Sequence, residues 1–189
     1  MDDIPVDGDS SGVVIKYTNI PQPKAAGVYW TATGGRFGAH ATTKAETACK
    51  IRTELPIHPF AFRVHTHSLG RAVSGWKVTP NMEWTLLGKE DPQLPQMFWP
   101  INDDKITLND GDTLATRCTM VNDGDSAVSV GSTRKDEMCN YYLMFWVDGT
   151  TLPEQLTCSS LGPPFYSWGG WLFGGGLTKI PDIEASTID

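Results

Sequence analysis

In the stretch Phe60-Ala-Phe-Arg-Val-His-Thr-His67, large apolar residues alternate with an alanine and then with basic residues. Because successive side chains on a β-strand point to opposite faces, this pattern predicts a half-buried strand. Its polar face would carry Arg63, His65 and His67. Its apolar face, directed at a core, would carry Phe60, Phe62 and Val64.

Short runs of this kind recur along the chain, rich in β-branched and aromatic residues and separated by Gly, Pro, Asn and Asp. No long segment keeps the 3.6-residue apolar period of a helix, so we expect an all-β, antiparallel β-sandwich that forms a single domain. The expected strands are Val13–Ile20, Gly27–Thr33, Cys49–Leu55, Phe60–Ser68, Ala72–Val78, Glu83–Lys89, Lys105–Leu108, Thr113–Val121 and Glu137–Val147.

The regions between and after these runs have their own signals. Asn109-Asp110-Gly111 predicts a hairpin turn between antiparallel strands, because Asp and Gly tolerate positive φ. Residues 121–136 are polar and unpatterned, which predicts a mobile loop. The Pro- and Gly-rich residues 161–189 predict a tail that packs aromatic residues irregularly against the sandwich, among them Trp168, Trp171 and Phe173.

The composition limits the partners of this 189-residue chain. Apolar residues make up 40% and charged residues 20%, which is ordinary globular usage. The net charge of −7 provides no positive field for nucleic acid or an anionic membrane, so we expect neither partner. No apolar run is long enough for a membrane span, and the first residues do not have the pattern of a signal peptide.

The four cysteines, Cys49, Cys118, Cys139 and Cys158, are far apart and include no C-x-x-C pair. An even number without a metal-binding spacing favours two disulfides, and therefore an oxidising compartment. Four buried thiols are the alternative.

The run from Glu137 to Trp146 also reads as a strand. Alternation puts Met138, Asn140, Tyr142 and Met144 on one face and Cys139, Tyr141, Leu143 and Phe145 on the other. If this strand lies near His65 and His67, two imidazoles and a thioether form a set suited to copper, above all copper(I). Taken without the other, each signal has a more common explanation. A His-x-His pair is more often simply part of a polar strand face, and a lone methionine is more often a core residue.

Three protein ligands would leave coordination positions open, as a reactive site requires. A blue-copper site is disfavoured, because it needs a thiolate beside its imidazoles and Cys139 faces away from Met138.

Five ordered blocks of this sequence resemble one family. The blocks are Arg63-Val-His-Thr-His67-Ser-Leu-Gly-Arg-Ala-Val-Ser-Gly75, Trp84-Thr-Leu-Leu-Gly-Lys89, Pro92-Gln-Leu-Pro-Gln96, Gly111-Asp-Thr-Leu-Ala-Thr-Arg-Cys118 and Asp136-Glu-Met-Cys-Asn140. They look like the C-terminal half of the catalytic core of the copper type II, ascorbate-dependent monooxygenases. The likeness runs from about Ser11 to Cys158, and the blocks 73–75 and 92–96 favour the peptidylglycine α-hydroxylating branch over the catecholamine branch.

The resemblance implies a jelly-roll sandwich with His65, His67 and Met138 as ligands of one copper ion that binds dioxygen. It implies disulfides Cys49–Cys158 and Cys118–Cys139. By position, Arg63, Asn140 and Tyr142 would hold the carboxylate of a peptide that ends in glycine, and Met144 would line an apolar wall. The implied reaction hydroxylates the glycine α-carbon on the way to a peptide amide.

The family takes electrons from ascorbate through a second copper, held by histidines in an N-terminal copper domain. The other histidines here, His40 and His58, are not adjacent as that second site requires, and Ser10 stands near where the family has a cysteine. We therefore expect an extension at 1–10, the copper domain at 11–160 and the tail at 161–189. We also expect a secreted or secretory-pathway parent, and little turnover by this chain alone.

Two other functions stay open from the residues. One is a non-catalytic copper-binding or secreted interaction domain that kept the fold and the metal site. The other is a disulfide-bonded sandwich that binds no metal.

Overall fold

The computed structural model describes residues 8–101, 103–163, 177 and 179–188. This part of the chain contains eleven strands and one short helix. The elements are β1 (Lys24–Thr33), β2 (Arg36–Phe37), β3 (Ala41–Lys50), β4 (His58–Thr66), β5 (Gly70–Val78), β6 (Trp84–Glu90), β7 (Trp99–Pro100), β8 (Thr113–Asn122), β9 (Val128–Ser129), β10 (Cys139–Asp148), β11 (Thr157–Ser160) and α1 (Asp182–Ser186).

Two large sheets form the sandwich. One has the strand order β11-β1-β10-β4-β7 and the other has the order β3-β8-β5-β6, while β2 and β9 form a separate pair. All neighbours are antiparallel except β1 and β11. The prediction of an all-β antiparallel sandwich is confirmed.

The core lies between the inner faces of these two sheets. On β10, the predicted inward residues Cys139, Tyr141, Leu143 and Phe145 are all buried. They meet inward residues of β8 that include Leu114 and Met120, which are fully buried as well. Tyr141 reaches so far across that a side chain at Gly75 on β5 would overlap its ring.

The predicted strand around Phe60 forms as β4, but the prediction assigned one side chain to the wrong face. Phe62 and Val64 are buried, but Phe60 is 42% exposed. Met144 pairs with Ala61 while the next residue, Phe145, pairs with Pro59, so Phe60 has no partner on β10. This bulge interrupts the period of two and turns the Phe60 side chain out of the core.

Three other predicted strands are wrong or misplaced. Val13–Ile20 forms no strand, and its apolar side chains are exposed. Cys49–Leu55 overlaps only the end of β3, which runs earlier through a Thr- and Ala-rich segment without aromatic residues. Lys105–Leu108 contributes only an isolated bridge between Leu108 and Ile57.

The turn at Asn109-Asp110-Gly111 forms, but the hairpin does not. Asn109 O accepts a hydrogen bond from Asp112 N at 3.1 Å, and Gly111 has the positive φ that such a turn favours. Because no strand precedes the turn, β8 pairs with β3 and β5 instead. The predicted loop at 121–136 contains the end of β8 and all of β9.

The described part of the tail includes α1, which the sequence did not predict. This helix lies on the outer face of the four-stranded sheet, where Ala185 is fully buried and its carbonyl accepts a hydrogen bond from Ser74 Oγ at 3.0 Å. Beside it, Arg117 and Glu46 form a buried ion pair. The predicted packing of Trp168, Trp171 and Phe173 lies outside the described residues.

Two disulfides join the two sheets. Cys49–Cys158 connects β3 to β11 and Cys118–Cys139 connects β8 to β10, which is the pairing that the resemblance implies. Within the described residues, no helix is long and apolar enough to cross a membrane.

Candidate metal and substrate site

The outer face of the five-stranded sheet brings the predicted site residues together. Antiparallel pairing of β4 with β10 sets His65 opposite Asn140 and Arg63 opposite Tyr142. Residues directly opposite each other in such a ladder share a face, with Cα atoms about 4.5–5.5 Å apart. Two predicted residues from each strand therefore form one continuous patch.

His67 and Met138 extend this patch at one end. The last pair of the ladder is Thr66 with Cys139, so each of the two is the next residue beyond it. Both side chains are half-buried. The Nδ2 atom of Asn140 lies 3.7 Å from Met138 Sδ, and the rings of His65 and His67 are 5.4 Å apart and nearly perpendicular.

Gln96 sets the tautomer of His65. Its Nε2 donates to the carbonyls of Thr66 at 3.0 Å and Pro92 at 2.8 Å, so its Oε1 is the atom that contacts His65 Nδ1. An amide oxygen only accepts, so Nδ1 carries the proton and Nε2 keeps a lone pair. Nε2 is therefore the nitrogen of His65 that could coordinate a metal ion.

His67 is oriented in the same way by the loop before β10. Its Nδ1 lies 2.7 Å from the backbone carbonyl of Asp136, which again assigns the proton to Nδ1 and the lone pair to Nε2. Hydrogen bonds from the hydroxyl and backbone N–H of Thr133 lower the pKa of Asp136. They also hold the turn that carries the carbonyl.

Glu137 is a site residue that the sequence analysis missed. It is completely buried, and its carboxylate accepts hydrogen bonds from the backbone N–H groups of His67, Leu69 and Met138. The group thereby ties the end of β4 to the start of β10 beside both terminal candidate ligands. Strand alternation puts Glu137 on the core face with Cys139, and a carboxylate there requires strong partners.

The other end of the patch has the character of an anion site next to an apolar surface. Arg63 Nε donates to the carbonyl of Gln96 at 2.9 Å, so the terminal nitrogens are the ones able to take a carboxylate. Its guanidinium lies 5.3 Å from the centre of the Tyr142 ring. Among the described residues, Arg63 forms no salt bridge. Asn140 Nδ2 contacts Tyr142 Oη at 3.4 Å, and Met144 follows, half-buried, on the same face.

A polar cavity of about 560 Å³ opens beside His67, lined also by Ser68, Gln93, Ser132 and Arg134. Of the candidate ligands, only His67 lines this cavity. His40 contacts Asp125 at 3.0 Å, and His58 stacks on Trp146 at the end of the β4–β10 ladder opposite to His67 and Met138.

The donor chemistry limits which metal would fit. All four cysteines are in disulfides, so no thiolate is available for a blue-copper site. Within the described ranges, no three His, Cys, Asp or Glu side chains cluster to hold an ion. The thioether of Met138 is the soft donor on this patch beside the two imidazoles, and a set of two imidazoles and a thioether would suit copper(I).

The family of this chain follows from its comparison with known proteins. Residues 24–169 match the family model described as copper type II ascorbate-dependent monooxygenase, C-terminal domain. The chain belongs to this family. Its blocks around the β4–β10 patch were sufficient to predict that membership.

Amidating monooxygenases are among the relatives of this copper type II domain. It is 39% identical over 159 residues to peptidyl-glycine alpha-amidating monooxygenase B of Xenopus laevis. The aligned residues make up 82% of this chain and 18% of the relative. It is 38% identical over 154 residues to the Rattus norvegicus and Mus musculus enzymes, covering 80% of this chain in both cases. That match spans 16% and 15% of the two relatives.

Proposed function

We propose that this domain holds one copper ion through His65, His67 and Met138 and hydroxylates the α-carbon of a C-terminal glycine in peptides, en route to peptide amides. The observation that carries the proposal is the single face shared by Arg63, His65, Asn140 and Tyr142 across β4 and β10. On this face an anion site and a nitrogen–sulfur donor set lie side by side.

The residues fit copper by their chemistry. The Nδ1 atoms of His65 and His67 are engaged in hydrogen bonds, which leaves Nε2 as the nitrogen of each ring for a metal ion, and Met138 offers a thioether next to Asn140. When bound, copper supplies the oxygen and one-electron chemistry that no side chain of this patch can perform. The chain's own contribution is to fix the ligands and to position the peptide.

Arg63 positions the peptide by its carboxylate. Arg63 and His65 are two residues apart on β4, about 7 Å along the strand, so a peptide whose carboxylate binds Arg63 can reach the side of the patch that carries His65 with its glycine α-carbon. The planar guanidinium can donate two parallel hydrogen bonds and so sets direction as well as distance. Fixing a reacting group in this way can lower a barrier by several kcal/mol.

Asn140 and Tyr142 complete the carboxylate site. Their side chains contact each other at 3.4 Å, and both stand directly across from the strand that carries Arg63. Gln96 connects the two halves of the patch, because its side chain contacts His65 while its carbonyl accepts from Arg63. A shift of Gln96 would move the peptide anchor and the imidazole together.

Turnover would need more than this chain. The chain spans less than a fifth of the length of these relatives. We infer an N-terminal copper domain that passes electrons from ascorbate, with dioxygen as co-substrate. Two disulfides agree with a secretory or extracellular location.

The first test is copper(I) affinity, measured by competition with a colorimetric chelator. Met138→Ile keeps roughly the volume but deletes the sulfur, and we expect affinity to fall about a hundredfold. Met144→Ile, on the same face but outside the ligand set, is the matched control and should bind copper like wild type. Unchanged affinity in Met138→Ile would remove the thioether from the ligand set.

The second test is ascorbate-dependent hydroxylation of a glycine-extended peptide, with and without an added N-terminal copper domain. We expect product only with that domain present. Near-normal turnover by this chain alone would contradict the need for a second copper. Copper binding without product in both cases would indicate the non-catalytic binding domain.

A further inference from the structure

The cavity beside His67 has a lining that the proposed function does not use. Its volume is about 560 Å³, and its other lining residues are Ser68, Gln93, Ser132 and Arg134. They come from the segment after β4, the loop between β6 and β7, and the loop before β10. The described residues that line the cavity include one cation and no carboxylate, in a chain with a net charge of −7. The cavity therefore favours an anionic ligand.

The polar side chains of this cavity keep groups available for a ligand. The amide nitrogen of Gln93 donates to two backbone carbonyls, at 2.7 and 3.1 Å, which leaves its Oε1 as an acceptor. Within the described part of the chain, the Arg134 guanidinium forms neither a hydrogen bond nor a salt bridge, and the hydroxyls of Ser68 and Ser132 have no partner. One cation, two hydroxyls and one amide oxygen thus line the same space.

Neighbouring charges leave Arg134 unneutralised. Arg71 Nη1 donates to the carbonyl of Ser68 at 2.9 Å, so a second guanidinium supports the segment that borders the cavity. Asp91 and Asp136 accept hydrogen bonds from nearby backbone N–H groups at 2.8 and 3.0 Å, and Glu137 is completely buried. These three acids have partners of their own, and none of them forms a salt bridge with Arg134.

We propose that this cavity binds the reductant, as a small polyhydroxylated anion of the ascorbate class, with its charge at Arg134 and its hydroxyl groups at Ser68, Gln93 and Ser132. The inference rests on the proposed function, because a reductant is required here only if copper binds beside the cavity. The family is ascorbate-dependent. Ascorbate carries one negative charge at neutral pH and several hydroxyl groups, and cavities of about 300–1,000 Å³ hold ligands of its size or larger.

The position beside His67 gives such a site its purpose. His67 Nδ1 is engaged by the Asp136 carbonyl at 2.7 Å, so Nε2 is left for copper on a ring that also lines the cavity. A bound ascorbate monoanion would lose one electron and one proton and become the monodehydroascorbate radical anion. Copper(II) would become copper(I), and the proton would pass to water. Hydroxylation consumes two electrons, so this site would act beside the inferred N-terminal copper domain and would not replace it.

The first test measures binding to the isotopically labelled, metal-free full chain by NMR, without oxygen. L-ascorbate is compared with dehydroascorbate, its uncharged oxidised form, and with acetate, which has the same charge but no hydroxyl groups. We expect ascorbate to bind about tenfold tighter than either, because each lacks one of the two kinds of contact. The shifts should be concentrated at the backbone N–H signals of Ser68, Gln93 and Ser132.

Variants assign the binding to Arg134. Arg134→Gln should weaken ascorbate binding about tenfold, and Arg134→Lys should keep part of it because the charge remains. Lys135→Gln is the matched control, because it removes the same charge at an exposed position one residue away, outside the cavity lining. It should bind ascorbate like wild type. Copper(I) affinity should be unchanged in all three variants, since neither side chain is in the proposed ligand set.

The copper-loaded chain gives a second measurement. The copper(II) signal in electron paramagnetic resonance should disappear on mixing with subsaturating ascorbate. We expect this reduction to be about tenfold slower in Arg134→Gln, in line with its weaker binding, and unchanged in Lys135→Gln. Equal rates in Arg134→Gln and wild type would overturn the reductant role.

The outcomes separate this inference from the proposed function. Equal binding of ascorbate and acetate would indicate a general anion site and overturn the inference, as would equal weakening by Arg134→Gln and Lys135→Gln. Neither result would touch the copper(I) affinities of the wild-type and Met138→Ile chains, on which the proposed function depends. If wild type binds no copper(I) while the metal-free chain binds ascorbate through Arg134, the proposed function fails and the reductant role fails with it.

Discussion

Replacing the buried carboxylate of Glu137 tests how the two candidate ligand strands are held together. Three backbone N–H groups donate to it, two to Oε1 from His67 and Met138 and one to Oε2 from Leu69. Glu137→Gln keeps one oxygen in nearly the same volume. Its amide nitrogen would then face a backbone donor, so one N–H loses its acceptor and the other two lose a charged one.

The expected magnitude follows from these bonds. A hydrogen bond to a charged group contributes about 1.5–3 kcal/mol, and a buried donor left without a partner costs about 1–3 kcal/mol. We therefore expect Glu137→Gln to lower the free energy of unfolding by about 3 kcal/mol. Glu137→Ala would leave three backbone N–H donors without an acceptor. It should lower the free energy of unfolding by about 5 kcal/mol or more, which is comparable to the whole stability of many domains.

Two measurements check this prediction. Urea denaturation of the metal-free, disulfide-intact chain gives the free energy of unfolding, and chelator competition gives the copper(I) affinity. The affinity should fall about tenfold to a hundredfold, as it does when other groups that orient metal ligands are removed. Glu154→Gln, at an exposed position, is the control and should change neither. A Glu137→Gln variant within about 0.5 kcal/mol of wild type, with normal copper affinity, would refute the reasoning.

Three further predictions concern the scaffold. Removing the Cys118–Cys139 bridge, which spans 21 residues, should cost about 3 kcal/mol in denaturation experiments; no loss would show that the sheets need no such link. The Tyr141 hydroxyl is buried without a partner among the described residues, and burial raises its pKa well above the ordinary value. Because the unpaired hydroxyl costs free energy in the folded state, Tyr141→Phe should raise the free energy of unfolding by about 1 kcal/mol. A drop in melting temperature would contradict this. Hydrogen bonds from Lys44 and Arg117 lower the pKa of Asp182. The docking of α1 should therefore be complete above the ordinary aspartate pKa of about 3.9 and should weaken as pH falls through the lowered pKa. Hydrogen exchange of α1 should show this pH dependence, and Asp182→Asn should abolish it.

Strand alternation predicted the faces of β10 correctly because each residue from Asn140 to Asp148 stays in register with β1. It misplaced Phe60 because a bulge depends on how two strands meet, which one strand's sequence does not encode. It missed β3, in which alanine, lysine and glutamate, all residues of weak β-propensity, outnumber the threonines. Pairing along β8 overrides that propensity.

Within the site, alternation grouped Arg63 with the histidines, and Asn140 and Tyr142 with Met138. Their arrangement on one sheet face needed the long-range pairing of β4 with β10, which neither stretch contains. Gln96 could not be assigned a role either, since it reaches His65 from a loop between β6 and β7. Glu137 had a detectable signal, a carboxylate at a core position.

The strand order also determines when the protein can fold. The first long strand, β1, finds both of its neighbours among the last strands of the chain, β10 and β11, and the Cys49–Cys158 bridge closes a span of 109 residues. Synthesis proceeds from the N-terminus, so a half-made polypeptide holds β1 with no partner on either side. The five-stranded sheet should therefore form only after nearly the whole chain has left the ribosome, and until then the unpaired edges of β1 are open to pairing with neighbouring molecules.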